Sequence, residues 1–210
     1  NNNIMENDEL LGAASCTTNA IVPTLKVLND EFDIQSGHIE SVHSYTNDQN
    51  LIDNFHKKVR RGRSAALNMV ITETGAGKAV GQVLPELQGK LTANAVRVPT
   101  PNVSLAIINL RFAKDITLEE LNDFLRQKAF HSDLKEQIGF TNSPEVVSTD
   151  FVGDRHAGII DSAATIVNGN KCVLYVWYDN EFGYTAQLLG LAKEMVGLTY
   201  QRYPNFSEST

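Results

Sequence analysis

The spacing of apolar residues along the chain changes from a helical period to alternation and back several times. Apolar residues recur at three- and four-residue spacing in four stretches, which predicts four helices. They are predicted at about 17–30, from 74 to Gly89, from the capping box at Thr117, and at 184–196. Pro85 is expected to end or bend the second helix early. In the third, Leu118, Leu121 and Leu125 are expected to face the core.

Alternating or short apolar runs predict strands at 39–45, 93–98, 103–112, 145–151, 157–167 and 171–178. Residues 69–71 form a further, short apolar run. Asn168-Gly169-Asn170 is typical of a hairpin turn between the last two strands. Several strands follow one another directly, which predicts an α+β fold with a mixed, largely antiparallel sheet and helices on one face. Ile107 and Ile108 are adjacent, so both faces of their strand should be covered, and another subunit could supply one cover.

The 210-residue chain carries a net charge of −7, which argues against general nucleic-acid binding. No apolar run is long enough to cross a membrane, so no membrane association is expected. The two cysteines, Cys16 and Cys172, are too few for a disulfide framework, and we expect a reducing, cytoplasmic setting. No metal site is predicted. The chain begins without methionine, and we expect it to be part of a longer polypeptide.

A polar stretch from residue 46 to residue 64 shows neither period and predicts a long loop. Loops of that length in compact domains are usually functional or disordered. The stretch contains five basic side chains, which either form a solvated surface or lie near a phosphate-bearing ligand. These are Lys57, Lys58, Arg60, Arg61 and Arg63.

Cys16 precedes the first helical pattern, so we expect it at the start of a helix. There the positive end of the helix dipole favours a thiolate and a bound anion. The alternative is an inert, buried small side chain, which is our interpretation of Cys172. His43, inside an apolar-flanked strand, is the candidate base. The Thr74-to-Lys78 string lacks the full P-loop pattern because Ala79 follows the lysine, although its helix start can still bind an anion.

Six short motifs occur in a fixed order between residues 14 and 181. Together they resemble the C-terminal catalytic domain of phosphorylating glyceraldehyde-3-phosphate dehydrogenases. The motifs are Ala14-Ser15-Cys16-Thr17-Thr18-Asn19, Val42-His43-Ser44-Tyr45-Thr46, Thr74-Gly75 with Lys78-Ala79-Val80-Gly81, Val96-Arg97-Val98-Pro99-Thr100, Val147-Ser148-Thr149-Asp150-Phe151 and Trp177-Tyr178-Asp179-Asn180-Glu181.

The resemblance implies an enzyme of sugar metabolism that acts on a sugar-phosphate aldehyde and inorganic phosphate with NAD, NADP being the other candidate. It implies Cys16 as nucleophile and His43 as base. It also implies a homotetramer for the full enzyme. The remaining implied site residues are Thr46 and Arg97 for the substrate phosphate, Ser15, Thr17, Thr74 and Gly75 for inorganic phosphate, Asn180 for the nicotinamide, and Arg63 as a loop arginine near the anion sites.

The chain contains no Gly-x-Gly-x-x-Gly fingerprint, so most of the dinucleotide site is expected outside it and the chain alone should be inactive. We expect 1–13 to be the tail of an N-terminal NAD-binding domain, 14–180 the catalytic domain, 181–198 a helix that packs on the NAD-binding domain, and 199–210 a loose tail. Two positions depart from the family: Ala20 replaces a frequent second cysteine, and Arg61 stands where glycine is common.

Three alternatives stay open. A sister enzyme that oxidises erythrose 4-phosphate is favoured by Asp48-Gln49 and Arg60-Arg61, whereas Thr46, Thr74 and Gly75 favour glyceraldehyde 3-phosphate. The chain could instead serve as a non-catalytic oligomerisation module. A cysteine hydrolase using Cys16 and His43 without a cofactor would leave the two phosphate sites without a purpose.

Overall fold

The structure, a computed structural model, describes residues 11–198. This part of the chain forms four α-helices and eight strands. The helices are α1 (Cys16–Phe32), α2 (Ala76–Val83), α3 (Leu118–His131) and α4 (Phe182–Met195). The strands are β1 (Ile34–Ser44), β2 (Val70–Thr72), β3 (Leu91–Val98), β4 (Ser104–Phe112), β5 (Ile138–Thr141), β6 (Gly158–Asp161), β7 (Ile166–Asn168) and β8 (Lys171–Tyr178).

The strands form a single sheet in the order β2-β3-β1-β4-β8-β6-β5, and β7 pairs with β8 as a hairpin. Only β1–β3 and β5–β6 are parallel pairs, and the other five pairs are antiparallel. Side chains of α1, α2 and α3 form one core with one face of this sheet. The predicted α+β fold, with a mixed, largely antiparallel sheet and helices on one face, is therefore confirmed.

Helix α1 occupies the centre of that core, and its apolar stripe is fully buried at Ile21, Leu25 and Leu28. Strand β6 passes directly beneath the first turns of the helix. A Cβ atom on Gly158 would lie 2.6 Å from the carbonyl oxygen of Ala20 and 2.7 Å from Cγ1 of Val176. Only glycine fits between helix and sheet at this point, so residue 158 sets how closely the helix that begins at Cys16 approaches the sheet.

Substitution Gly158→Ala is expected to lower the free energy of unfolding by about 1–3 kcal/mol, because the added methyl group overlaps backbone and cannot be relieved by a side-chain rotation. Urea unfolding measures the change. Gly190→Ala on α4 is the matched control, since a Cβ atom there meets nothing within 4 Å. That control should be neutral or slightly stabilising. Equal stability of the two variants would contradict the close approach.

The long periodic segments lie close to their predicted positions. Helix α1, strands β3, β4 and β8 and the β7–β8 hairpin are confirmed, and Gly169 in the hairpin turn has φ +60°. Strand β1 begins five residues before its predicted start. The second helix ends at Val83, and Pro85 opens a separate 3-10 turn, as expected from the missing N–H of proline.

Two predicted strands were wrong because side chains hydrogen-bond to nearby backbone instead. Residues 145–151 contain a 3-10 turn, Ser148–Phe151, in which the carboxylate of Asp150 accepts from the N–H of Val147 at 2.8 Å. Residues 157–167 form two strands rather than one. The break lies at Asp161, which accepts from the N–H of Ala164 at 3.2 Å and closes a turn.

One other expectation was wrong, and one strand went unpredicted. Leu118 is 45% exposed at the first position of α3, whose buried face begins at Leu121. Strand β5 was not predicted, because Ile138–Thr141 has no alternation and only four residues. Ile108 is buried and Ile107 half-buried on the opposite face of the sheet, as expected for a strand that is apolar on both sides. The expectations for residues 1–10 and 199–210 lie outside the described residues.

Candidate active site

Cys16 is the first residue of α1, and the local sequence explains why the helix begins there. Ser15 has extended backbone angles and acts as the N-cap, with its hydroxyl oxygen accepting from the N–H of Thr18 at 3.1 Å. Asn19 donates from its side chain to the carbonyl oxygen of Ala13 at 2.6 Å and fixes the incoming segment. The thiol is thereby held at the N-terminal end of a seventeen-residue helix, the predicted place.

The side chain of His43 lies directly opposite this thiol. Its Nε2 atom is 3.5 Å from Sγ of Cys16, and the residue is only 6% exposed near the end of β1. Its Nδ1 atom is 2.7 Å from the carbonyl oxygen of Ser44, which can only accept, so Nδ1 carries the proton. In this tautomer Nε2 presents a lone pair to the thiol. An Nη1 atom of Arg97 is 3.3 Å from Nδ1, and since both are donors this contact is repulsive.

Burial sets the protonation of both partners. It lowers the pKa of His43 to about 4, and the positive charges of Arg97 and Arg61 act in the same direction. Burial also raises the pKa of Cys16, although the N–H and hydroxyl of Thr17 and the charge of Arg97 oppose it. The pair therefore rests as thiol and neutral imidazole. Burial of the thiol thus opposes the effect expected of the helix start, which favours the thiolate.

The lowered pKa of His43 predicts a loss of stability in acid. The unfolded chain binds a proton at this residue below pH 6.5, whereas the folded chain does so only below about 4. The free energy of unfolding therefore keeps its full value above pH 6.5. It falls as the pH drops from 6.5 to 4, and this histidine contributes about 3 kcal/mol to the fall. Urea unfolding at pH 7 and pH 4.5 measures the fall, and His43→Gln should reduce it. An unchanged fall in that variant would contradict the assignment.

Arg97 and Thr46 lie on the other side of His43. Arg97 pairs with His43 across the parallel strands β3 and β1. Its Nη1 atom donates to the hydroxyl oxygen of Thr46 and to the carbonyl oxygen of Ser44, both at 3.0 Å. Its Nε atom is buried, and no described residue accepts from it. The structure thus brings the two residues predicted for the substrate phosphate together, beside the thiol–imidazole pair.

The four residues predicted for inorganic phosphate lie at two helix starts. Ser15 is exposed at the start of α1, and Thr17 is buried with its hydroxyl 3.0 Å from that of Tyr178. Thr74 and Gly75 precede α2, which packs against α1, and the Thr74 hydroxyl accepts from the N–H of Ala76 at 3.2 Å. Gly75 is exposed with open space around it. The four residues thus lie at the starts of two helices that pack against each other.

Asn180 follows β8 and is 8% exposed. Its Oδ1 atom accepts from the hydroxyl of Ser44 at 2.8 Å and from that of Ser104 at 2.9 Å. No described residue accepts from its amide nitrogen. Neither serine could be assigned a role from the sequence, since an isolated serine in a strand gives no sign that it hydrogen-bonds to a distant side chain.

Arg61 is the other residue whose place the sequence did not reveal. It is 7% exposed, forms an ion pair with Asp48 and donates from Nε to the hydroxyl of Thr72 at 3.0 Å. Arg63, expected near the anion sites by resemblance, is exposed and pairs with Asp53 at 3.3 Å. The basic loop is therefore divided. Arg61 points inward, where burial lowers the pKa values of His43 and Arg97 and the charge of Arg61 adds to that effect, whereas Arg63 faces solvent.

Two further findings concern residues 11–198 as a whole. Within that range no group of three His, Cys, Asp or Glu side chains is placed to hold a metal ion. None of the four helices described there has the length and apolar character needed to span a bilayer.

Comparison with known proteins decides the family. Residues 15–180 match the family model for the glyceraldehyde 3-phosphate dehydrogenase C-terminal domain. This chain belongs to that dehydrogenase family. The resemblance carried by the six motifs is thereby confirmed, and the fold described above is that of the dehydrogenase C-terminal domain.

Several curated dehydrogenase relatives match over nearly the whole chain. A glyceraldehyde-3-phosphate dehydrogenase-like protein of Pseudomonas aeruginosa (strain UCBPP-PA14) is 64% identical over 94% of this chain and 43% of its own length. The glyceraldehyde-3-phosphate dehydrogenase of Priestia megaterium and the dehydrogenase 1 of Bacillus subtilis are each 46% identical over 89% of the chain, and over 56% and 55% of their own lengths. The chain thus spans about half the length of the curated relatives it matches.

Proposed function

We propose that this chain is the catalytic half of a phosphorylating aldehyde dehydrogenase that converts glyceraldehyde 3-phosphate and inorganic phosphate to 1,3-bisphosphoglycerate with NAD or NADP. One observation carries the proposal: the thiol of Cys16 lies 3.5 Å from the unprotonated Nε2 atom of a buried histidine. A guanidinium, that of Arg97, lies on the other side of the same imidazole. A nucleophile, a base and an anion-binding cation thus adjoin one another.

The first step forms a bond between Sγ of Cys16 and the aldehyde carbon. Because both resting partners are neutral, the thiol proton passes to Nε2 of His43 as sulfur attacks. The carbonyl oxygen gains a negative charge and then takes that proton, which gives a thiohemiacetal and restores the neutral imidazole. His43 is suited to this exchange because its Nδ1 proton is held by the Ser44 carbonyl oxygen and its Nε2 lone pair stays free.

In the second step the thiohemiacetal hydroxyl loses its proton to Nε2 of His43 and its carbon loses a hydride, which leaves a thioester on Cys16. When bound, the nicotinamide supplies the acceptor for that hydride. The chain fits such a cofactor at Asn180, whose amide N–H groups have no acceptor among the described residues and would hold the carboxamide. The fixed tautomer of His43 keeps its accepting nitrogen on the side of the Cys16 sulfur.

In the third step an oxygen of inorganic phosphate attacks the thioester carbon and the carbon–sulfur bond breaks. His43 returns its proton to the departing sulfur, and the proton of hydrogen phosphate passes to solvent. The attacking phosphate would be held at the starts of α1 and α2, by the hydroxyls and backbone N–H groups of Ser15, Thr17, Thr74 and Gly75. The phosphate of the substrate would be held by Arg97 and Thr46, which already share a hydrogen bond.

Substitution Arg97→Leu in the full-length enzyme is expected to raise KM for glyceraldehyde 3-phosphate by about 10–100-fold, because a charge-assisted bond to the substrate phosphate is lost. Steady-state kinetics at saturating phosphate measures the change. Arg63→Leu is the matched control: it removes an equal charge from the same region, but at an exposed residue paired with Asp53, and should leave KM near the wild-type value. A larger effect at residue 63 than at residue 97 would reverse the assignment.

The substrate itself is tested by turnover of the full-length enzyme with glyceraldehyde 3-phosphate and with erythrose 4-phosphate. We expect a preference for the former, because both anion sites proposed for a three-carbon substrate and phosphate are represented. A strong preference for erythrose 4-phosphate would mean that this sugar phosphate, and not glyceraldehyde 3-phosphate, is the substrate. Absence of reduced cofactor with either sugar would favour the non-catalytic module, and ester hydrolysis without cofactor would favour the hydrolase.

The proposal includes self-association into a tetramer. It is supported by four apolar side chains of the polar loop that are 60–89% exposed in the single chain, namely Leu51, Ile52, Phe55 and Val59. Light scattering of the full-length protein at micromolar concentration tests this part, and a monomeric mass would remove it.

A further inference from the structure

Three buried polar side chains from different elements meet beneath the active site. Ser44 is the last residue of β1, Ser104 the first of β4, and Asn180 follows β8. Ser44 and Ser104 are at most 1% exposed. Strands β1, β4 and β8 are neighbours in the sheet, so their ends bring the three side chains together.

The hydroxyl protons in this cluster can be assigned from the geometry. The N–H of Ser44 donates to Oγ of Ser104 at 3.1 Å, so that oxygen acts as an acceptor there. The proton of Ser104 is directed to Oδ1 of Asn180 at 2.9 Å, which is shorter than its 3.5 Å separation from Oγ of Ser44. The proton of Ser44 goes to the same Oδ1 atom at 2.8 Å. Both serine hydroxyls therefore donate to the same atom, the amide oxygen of Asn180.

This arrangement determines which way the Asn180 amide faces. With the oxygen held by two hydroxyls, the amide nitrogen points away from them, and no described residue accepts its two N–H groups. We propose that Ser44 and Ser104 are positioning residues that hold Asn180 with its N–H donors available to the carboxamide carbonyl of a bound nicotinamide. This inference rests on the proposed function, in which Asn180 binds the cofactor.

Two hydroxyls are needed because an amide oxygen and an amide nitrogen have nearly the same shape. Packing alone cannot distinguish the two orientations. A hydroxyl can donate or accept, but with the amide reversed both serine protons would face N–H groups, and only the long 3.5 Å contact between the two hydroxyls would remain for them. The sheet fixes the ends of β4 and β8 relative to each other. Ser104 on β4 pairs with Tyr178 on β8, and Tyr178 lies two residues before Asn180 in the sequence. The positions of the two donors are thus fixed by the same strands that carry the site.

The test measures dissociation constants of NAD+ and of ADP-ribose, which lacks the nicotinamide, for the full-length protein. The variants are Ser44→Ala, Ser104→Ala, their combination and Asn180→Ala. The double serine variant is expected to bind NAD+ about tenfold more weakly and ADP-ribose unchanged, because a misoriented amide affects only the nicotinamide end. Ser162→Ala is the matched control, since this buried serine donates to the carbonyl oxygen of Thr141 at 2.8 Å. It should change neither constant.

A second readout is the face to which hydride is delivered, followed with substrate deuterated at the aldehyde carbon. Loss of single-face transfer in the double variant supports positioning. The proposal would be overturned if the double serine variant bound both ligands like the wild type and kept single-face transfer, while Asn180→Ala lost affinity for NAD+. Equal weakening of NAD+ and ADP-ribose would indicate a general structural role and also overturn it. If Asn180→Ala itself binds NAD+ normally, the cofactor role of Asn180 in the proposed function fails instead, and this inference with it.

A neutron structure of the unaltered protein needs no variant and answers the same question if the serine variants do not fold. Deuterium on both serine oxygens directed at Oδ1 of Asn180 is the expected result. An amide turned with its nitrogen towards the serines would overturn the inference.

Discussion

Replacing Cys16 by serine is expected to lower kcat of the full-length enzyme by on the order of 10³-fold or more, equivalent to about 4 kcal/mol of transition-state stabilisation. A hydroxyl is a weaker nucleophile than a thiol, and an ester is a poorer acyl donor to phosphate than a thioester. The neutral imidazole beside Cys16, with a pKa of about 4, is too weak a base to compensate for a hydroxyl. Formation of reduced cofactor at saturating substrate measures the change.

The matched control for that variant is Cys172→Ala. Burial raises the pKa of Cys172 to about 12, and the residue lies in the core on β8, so its thiol should take no part in the chemistry. The control is expected to unfold more readily, but each folded molecule should turn over at the wild-type rate. Retention of more than a tenth of wild-type kcat by the serine variant would contradict the role of Cys16 as nucleophile.

Replacing His43 by glutamine is expected to lower kcat/KM by about 10²–10⁴-fold, the usual contribution of a general base. Glutamine keeps a polar side chain opposite the thiol but cannot take its proton. In the proposed mechanism the base is the neutral imidazole, whose pKa burial lowers to about 4, so activity should persist as pH falls through 6.5. Initial rates between pH 4.5 and 8 measure both effects.

Two outcomes of that experiment would contradict the assignment. One is a wild-type profile that loses activity with a midpoint near 6.5, since burial would then not have shifted His43. The other is a His43→Gln variant with nearly wild-type activity. His38→Gln provides the control, because this histidine bonds to Thr92 and Asn94 on the sheet and makes no contact with Cys16.

The sequence predicted most reliably those elements whose pattern repeats over many residues. Helix α1 buries a continuous stripe of apolar side chains, and β4 and β8 alternate along nine and eight residues. Where elements are short, local hydrogen bonds decide. Asp150 closes a 3-10 turn on the N–H of Val147, and hydrophobic spacing contains no information about that bond. Strand β5 is defined mainly by its pairing with β6, which only the folded chain provides.

The candidate site shows the same division. Cys16 could be placed at a helix start from its neighbours alone, and the apolar flanks of His43 made it the candidate base. The 3.5 Å approach of the two side chains, 27 residues apart, exists only in the folded chain. The pKa directions could not be read from the sequence, since they depend on burial and on the arginines that fold against the histidine. The inward orientation of the Arg61 side chain and the hydrogen bond from Ser44 to Asn180 likewise depend on which strands become neighbours.

The most direct test of the account is the alkylation rate of Cys16 by iodoacetamide against pH, in the full-length protein and in His43→Gln. Cys172 serves as the internal reference, because its buried thiol should not react. The account predicts that the wild-type rate exceeds the variant rate at pH 6 and rises by less than tenfold per pH unit up to pH 8, since neutral His43 can take the thiol proton as sulfur attacks, whereas the variant rate follows the thiolate fraction. Identical profiles for the two proteins would contradict the pairing of Cys16 with His43.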